Sequence, residues 1–184
     1  VRAYVDESVR EAPFGRYLLA AVLVPGDRAD AIREALRASV RRGSWRFHWH
    51  DESPSRRREL AARIASLGLD AVVVHTEFTE PRGVERARAR CLVRLLWELG
   101  ERGVSDVVLE RRQPGNNRDD RTIAGMRRSG WAAADLRYDF SAPHQECLLW
   151  LPDIVAGAAV PAVADGDASY LDLVGAGARV VEVA

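Results

Sequence analysis

Three acidic positions in this sequence could do more than meet solvent. Tyr4-Val-Asp-Glu-Ser8 sets two carboxylates and a hydroxyl at the end of the first strand-like segment, just before a turn. Strand ends are where α/β sheets build their sites. Side chains alternate along a strand, so Asp6 and Glu7 face opposite ways, one into a cleft and the other out, unless both are simply solvated turn residues. Glu110 closes a second strand-like run, Val107-Val-Leu-Glu, and is followed by Arg111-Arg112 and the open stretch Gly115-Asn-Asn-Arg-Asp-Asp-Arg121. A carboxylate at the tip of a buried parallel strand is well placed for a metal ion, and the basic and amide residues after it suit phosphate. An ion pair between Glu110 and its arginine neighbours is the plainer use. Asp119 and Asp120 also suit the first turn of a helix, where the dipole favours acids.

Asp153 is the hardest of the acids to dismiss, because Leu148-Leu-Trp-Leu-Pro-Asp-Ile-Val-Ala-Gly157 is otherwise apolar. A carboxylate inside such a helix must be paired, protonated or bound to a cation, since burying it unsatisfied costs several kcal/mol. A salt bridge to an arginine would also serve. Pro152, which has no N–H, either kinks this helix or marks its start. Phe47-His-Trp-His-Asp-Glu52 is the other dense cluster. His48 and His50 would share a face on a strand, as in some two-histidine metal sites, but no cysteine or third histidine stands at a matching zinc spacing. His75, inside a strand pattern, reads as a satisfied core residue, and His144 as a helix cap.

These residues need elements to hold them. Residues 3 to 7 and 17 to 24 predict an antiparallel hairpin around a Pro13/Gly15 turn, its second strand buried. A helix is predicted from Asp27 to Gly43, with Ile32, Ala35, Leu36 and Ser39 on one face, then a short strand at Trp45 to Trp49. Ser53-Pro54 reads as N-cap and first turn of a helix that Gly68 stops, with Leu60, Ile64 and Leu67 inward. Strand and helix then alternate: strand 70 to 76, helix 82 to 101, strand 104 to 109, helix 118 to 129, strand 133 to 140 and helix 145 to 160. In the helix from Arg82, Val84, Ala87, Cys91, Leu95 and Leu99 form one stripe while Glu85, Arg88, Arg94 and Glu98 face away. The fold class is therefore α/β, a mixed sheet with an antiparallel hairpin first and parallel strands after it. Residues 161 to 184, rich in glycine around Tyr170-Leu-Asp-Leu-Val, leave a closing helix or strand open.

Composition narrows the partners. The 184 residues are 47 % hydrophobic, enough for one domain over 1–184 with its own core. The 27 basic and 27 acidic residues cancel, so any electrostatic recognition must be local. Every basic residue is arginine, consistent with the codon bias of a high-GC genome, and the absence of lysine rules out Walker-type phosphate loops and lysine Schiff bases. Cys91 and Cys147 lie in apolar surroundings and read as buried free thiols, which suits a reducing cytoplasm. No apolar run reads as long enough to span a membrane, and the strand-like opening lacks the regions of a signal peptide, so a cytoplasmic location without membrane contact is expected.

Taken in order, Tyr4-Val-Asp-Glu-Ser8, Phe47-His48, Leu109-Glu110-Arg111 with Arg118-Asp-Asp-Arg121, and Glu146-Cys-Leu-Leu-Trp-Leu-Pro-Asp-Ile-Val-Ala-Gly157 resemble the signature of domain of unknown function 3800, over about residues 2 to 160. The chain departs from it in Val9, where similar proteins carry glycine, and in Pro152, where they carry alanine. The resemblance implies a ribonuclease-H-like fold in which Asp6, Glu110 and Asp153 converge on one metal site. It implies Mg²⁺ or Mn²⁺, two ions about 4 Å apart, and phosphodiester hydrolysis on a nucleic-acid substrate. Asp6 would bridge the ions, His48 or Asp120 would orient water or protonate the leaving group, and Arg118 and Arg121 would hold the phosphate backbone. His48, Glu52 and Glu59 stay open as a fourth ligand. Two other readings remain: a non-catalytic binding or accessory protein that keeps the fold, and a zinc hydrolase built on His48 and His50.

Overall fold

The structure, a computed structural model, describes residues 1–11, 15–40, 44–79, 83–112, 115–131 and 135–183. Pro13, Gly43, Arg82 and residues 133–134, where a turn, a helix end, a helix start and a strand start were expected, lie outside them. Six strands form one sheet in the order β5-β4-β1-β2-β3-β6: β1 (Arg2–Arg10), β2 (Gly15–Val24), β3 (Ala71–Phe78), β4 (Asp106–Glu110), β5 (Arg137–Ser141) and β6 (Ala178–Glu182). β2 runs antiparallel to its neighbours β1 and β3, whereas β4 joins β1, β5 joins β4 and β6 joins β3 in parallel. The mixed sheet expected from the sequence is the one that forms, and the glycine-rich tail supplies both a short helix and a closing strand.

Strand alternation divides the interior into two cores. Tyr4, Leu18, Ala20, Val22 and Val73 face α1 (Ala29–Arg37), α2 (Pro54–Leu67) and α5 (Trp150–Asp165), while Val5, Tyr17, Leu19, Ala21 and Val74 face α3 (Val84–Gly100) and α4 (Asn116–Arg128). Ser53 Oγ accepts the Arg56 N–H at the start of α2, and Gly68 ends it at φ 57°, the left-handed conformation that glycine takes without strain. Pro152 sits in the first turn of α5, where a missing N–H costs no helical hydrogen bond. A turn of four residues, α6 (Leu171–Val174), packs beside α2.

Three expectations need correction. Trp45 to Trp49 forms no strand; it runs into a 3-10 turn at Trp49–Asp51, because Phe47 and Trp49 insert into the core beside α5 rather than join a ladder. Arg88 and Glu98 do not face solvent on α3: they are 3 % and 1 % exposed, and each is held by opposite charges. Finally, Cys147–Asp165 is a 19-residue helical stretch of mean hydropathy 1.8, long and apolar enough to cross a membrane by composition, although none was expected. Two-thirds of that window is buried against the protein's own sheet and helices, as a core helix is. Both cysteines are buried and free.

Candidate functional site

The ladder between β1 and β4 pairs Val5 with Leu109 and goes no further, so β1 runs on past the end of β4 and leaves a notch beside it. A cavity of about 310 Å³ opens there, with Asp6, Glu110 and Asp153 among its lining residues. Asp6 shares the face of Tyr4 and stands opposite Ala20, which turns it towards α5. Glu110 follows Leu109 on the neighbouring parallel strand. Asp153 comes from the first turn of α5, whose start is set by Glu146: its Oε1 accepts the Leu148 N–H at 3.0 Å, and Arg33 donates to its Oε2 at 2.7 Å. That cap was expected from His144, which instead lies against Trp45.

None of the three acids forms an ion pair among the described residues. Asp6 Oδ1 accepts the Glu7 N–H at 2.7 Å, and Asp153 Oδ2 accepts the Trp49 N–H at 3.0 Å. Burial pushes the Asp6 carboxyl well above the usual carboxylate range, and the charges of Glu110 and Asp153 raise it further. Glu110 is raised by burial too, partly offset by the hydrogen bond it shares with Asp6 and raised again by the charge of Asp153. Burial raises Asp153 against the opposing pull of the Trp49 N–H and of His48, His50 and Arg46. The arginine salt bridge that could have explained Asp153 is not there; a backbone N–H takes its place.

The other predicted residues divide. His48 lines the cleft, as does His50, and the His50 N–H points at His48 Nδ1, 3.3 Å away. Asp120, Arg118 and Arg121 stand on α4 and do not line it: Asp120 accepts the Tyr138 hydroxyl at 3.0 Å, Arg118 pairs with Glu85 at 3.2 Å, and Arg121 is exposed. Glu59 pairs with Arg56 on α2. Across β1 the cleft reaches Glu7, Arg88 and Arg112. Glu7 points to the α3 side and receives Arg88 and the Tyr17 hydroxyl, with Arg112 at 3.3 Å, while Arg88 grips Asp119 through two hydrogen bonds of 2.8 and 2.7 Å. A signal for Arg88 existed, since it falls four residues after Val84 and three before Cys91, inside the apolar stripe. His75 is buried in the core, with no hydrogen-bond partner for its Nδ1 among the described residues, and burial lowers its pKa.

Three carboxylates bordering one notch, none ion-paired among the described residues, are hard oxygen donors of the kind that divalent ions such as Mg²⁺ or Mn²⁺ take. Among the described residues, no three or more His, Cys, Asp or Glu side chains close around a single point, so the acids border an open cleft and form no cage. Zinc held by His48, His50 and an acid would need such a cluster.

No family model and no curated protein matches the sequence. Among solved structures, the chain is similar to one in the PCNA:RNase HII complex from Archaeoglobus fulgidus, with a TM-score of 0.54 and 15 % identity over 85 % of this chain and 69 % of that one. At that identity the likeness concerns the fold, and the fold is ribonuclease-H-like.

Proposed function

We propose that the protein is a divalent-metal-dependent nuclease or related phosphoesterase that hydrolyses phosphodiester bonds. The observation that carries this reading is the convergence of Asp6, Glu110 and Asp153 on one cleft, each with its proton affinity raised and none ion-paired among the described residues. The sequence resemblance to domain of unknown function 3800 implies a site on these same three acids, and a ribonuclease-H-like fold agrees with it. A bound Mg²⁺ or Mn²⁺ would neutralise the acids and supply a Lewis acid and an activated water at the phosphodiester. Asp6, from the central strand, would lie between Glu110 and Asp153 as their common partner. Arg46, His48 and His50 line the same cleft, where positive or proton-donating groups can meet the phosphate and the leaving oxygen. Nucleic acid is the substrate class, gripped locally because the whole chain is neutral.

The test is metal-dependent cleavage of single- and double-stranded DNA and RNA by the parent and by Asp6→Asn, together with thermal midpoints in chelator and in millimolar Mg²⁺ or Mn²⁺. The proposal requires cleavage that Asp6→Asn abolishes and a metal-induced rise in the midpoint. No cleavage and no rise would favour a non-catalytic accessory protein that retains the fold.

A further inference from the structure

The segment that walls the cleft also builds a second recess next to it. Ser44, Trp45, Arg46, His48, Asp51 and Glu52 line a cavity of about 380 Å³. Arg46 and His48 line the acid-floored cleft too, so the two hollows share a wall. Trp45 has the parity of Phe47 and Trp49, which are 3 % and 2 % exposed, yet Trp45 is 58 % exposed. Its two successors anchor the segment: Phe47 meets Trp150 at 5.1 Å between ring centroids, and Trp49 meets Tyr170 at 5.3 Å. Trp45 has no core beneath it. The Arg46 guanidinium lies 4.7 Å from its ring centroid, and the His144 ring stands nearly perpendicular to it at 6.3 Å. An indole is the largest apolar side chain, and here it is held by cationic and aromatic neighbours with much of its surface open.

Such a surface suits a flat, π-faced partner, and the recess says more about that partner's edge. Asp51 and Glu52 bring carboxylates, which when ionised accept hydrogen bonds and donate none. A flat ring carrying amino groups matches this wall; a ring edged with carbonyl oxygens is repelled by it. Inside a duplex both faces of a base are covered by its neighbours, so only an unpaired base can stack here. We infer that the Trp45 recess holds one unpaired, amino-bearing nucleobase of a single strand whose backbone passes Arg46 and His48 into the acid cleft. The inference rests on the phosphodiester reading of that cleft and adds the form of the substrate, single-stranded at the site, and a preference for adenine, cytosine or guanine over thymine or uracil.

Binding of short labelled oligonucleotides, followed by fluorescence anisotropy in chelator so that no cleavage intervenes, tests it. Relative to the parent, Trp45→Ala should weaken binding of oligo-dA and oligo-dC about tenfold, the scale of one lost stacking contact. Trp45→Phe, which keeps a π-face, should keep most of the affinity. Oligo-dT should bind the parent more weakly than oligo-dC, and a fully paired duplex without a loop should be indifferent to Trp45→Ala. Trp97, another exposed tryptophan at 38 %, lies on α3 away from the cleft, and Trp97→Ala should change nothing. The recess is overturned by equal binding of single strands to parent and Trp45→Ala, by an equal loss on duplex and single strand, or by no binding of any nucleic acid. Cleavage that ignores Trp45 removes the recess and leaves the nuclease reading standing; Trp45-dependent binding without any cleavage does the reverse.

Discussion

Trp49 touches α5 twice: its backbone N–H donates to Asp153 Oδ2 at 3.0 Å, and its indole lies directly over Gly157, one turn further along the helix. The first contact gives a buried carboxylate its one backbone donor. The second explains why a residue without a side chain stands at 157. Together they fix the segment that carries Arg46, His48 and His50 to the helix that carries Asp153, so one wall of the cleft is positioned by packing against the other.

A methyl group at 157 would overlap the Trp49 indole. Gly157→Ala is therefore expected to destabilise the protein by about 1–3 kcal/mol, the usual cost of overpacking, in spite of alanine's better helix propensity. Urea denaturation measures the loss. The same variant should weaken the Trp49–Asp153 hydrogen bond and raise the Asp153 pKa further, visible in carboxyl chemical shifts titrated against pH. A Gly157→Ala protein as stable as the parent would show that Trp49 is not seated where the structure has it.

Behind β1, Arg88 is 3 % exposed and binds Asp119, itself 2 % exposed, together with Glu7 and Tyr17. Removing the cation alone strands Asp119, whereas Glu7 keeps Arg112 at 3.3 Å. Arg88→Met should cost roughly 3–5 kcal/mol in a denaturant titration, the range for breaking a buried pair from one side. Adding Asp119→Leu to Arg88→Met should return part of that loss, because the second substitution removes a stranded charge. A double variant less stable than the single one would contradict this account.

Much of this was legible in the sequence, for identifiable reasons. Period-two alternation in β1 separated Asp6 from Glu7, and the structure sends them to opposite faces of the sheet. Glu7 nonetheless meets a buried arginine where solvent was the expectation. The cap at Ser53 and the stop at Gly68 are local chemistry, and local chemistry is readable. The burial of Arg88 and Glu98 was not, because helical periodicity assigns charges to solvent and cannot show that a partner waits on another element. Trp45 to Trp49 has the alternation of a strand, but that pattern is equally produced by an extended segment that pushes Phe47 and Trp49 into a core. Asp153 was conspicuous as a charge in an apolar helix, while its partner, a backbone N–H more than a hundred residues earlier, leaves no trace in side-chain pattern.

Crowded acids make stability depend on pH in a predictable direction. Asp6 holds its proton more tightly in the folded protein than in the unfolded chain, so between the ordinary aspartate pKa of about 3.9 and its raised folded value the native state binds more protons. Stability from this group is complete at the acid end and is lost as pH rises through that window. In chelator, the parent should lose stability relative to Asp6→Asn as pH climbs, and above the window the asparagine variant should be at least as stable as the parent. Millimolar Mn²⁺ should reverse the order, because only the parent keeps the full set of carboxylates. Paired denaturation curves across pH, with and without the ion, decide it; a constant difference between the two proteins would mean that Asp6 titrates normally.

Asp120 and Asp6 offer a contrast in activity, since Asp6 on β1 lines the cleft and Asp120 on α4 does not. Asp120 accepts the Tyr138 hydroxyl at 3.0 Å and ties α4 to β5, a structural contact. Asp120→Asn keeps an acceptor oxygen for that hydroxyl, so it should leave the rate of phosphodiester hydrolysis within about twofold and cost under about 1 kcal/mol of stability. Asp6→Asn should lower the rate on the order of a thousandfold or more, since an amide cannot supply the charge that several kcal/mol of metal-centred stabilisation require. Single-turnover rates of the two variants, compared at saturating Mn²⁺, separate the positions. Equal losses at both would move the catalytic centre towards α4, where Arg118 and Arg121 would again become its phosphate contacts.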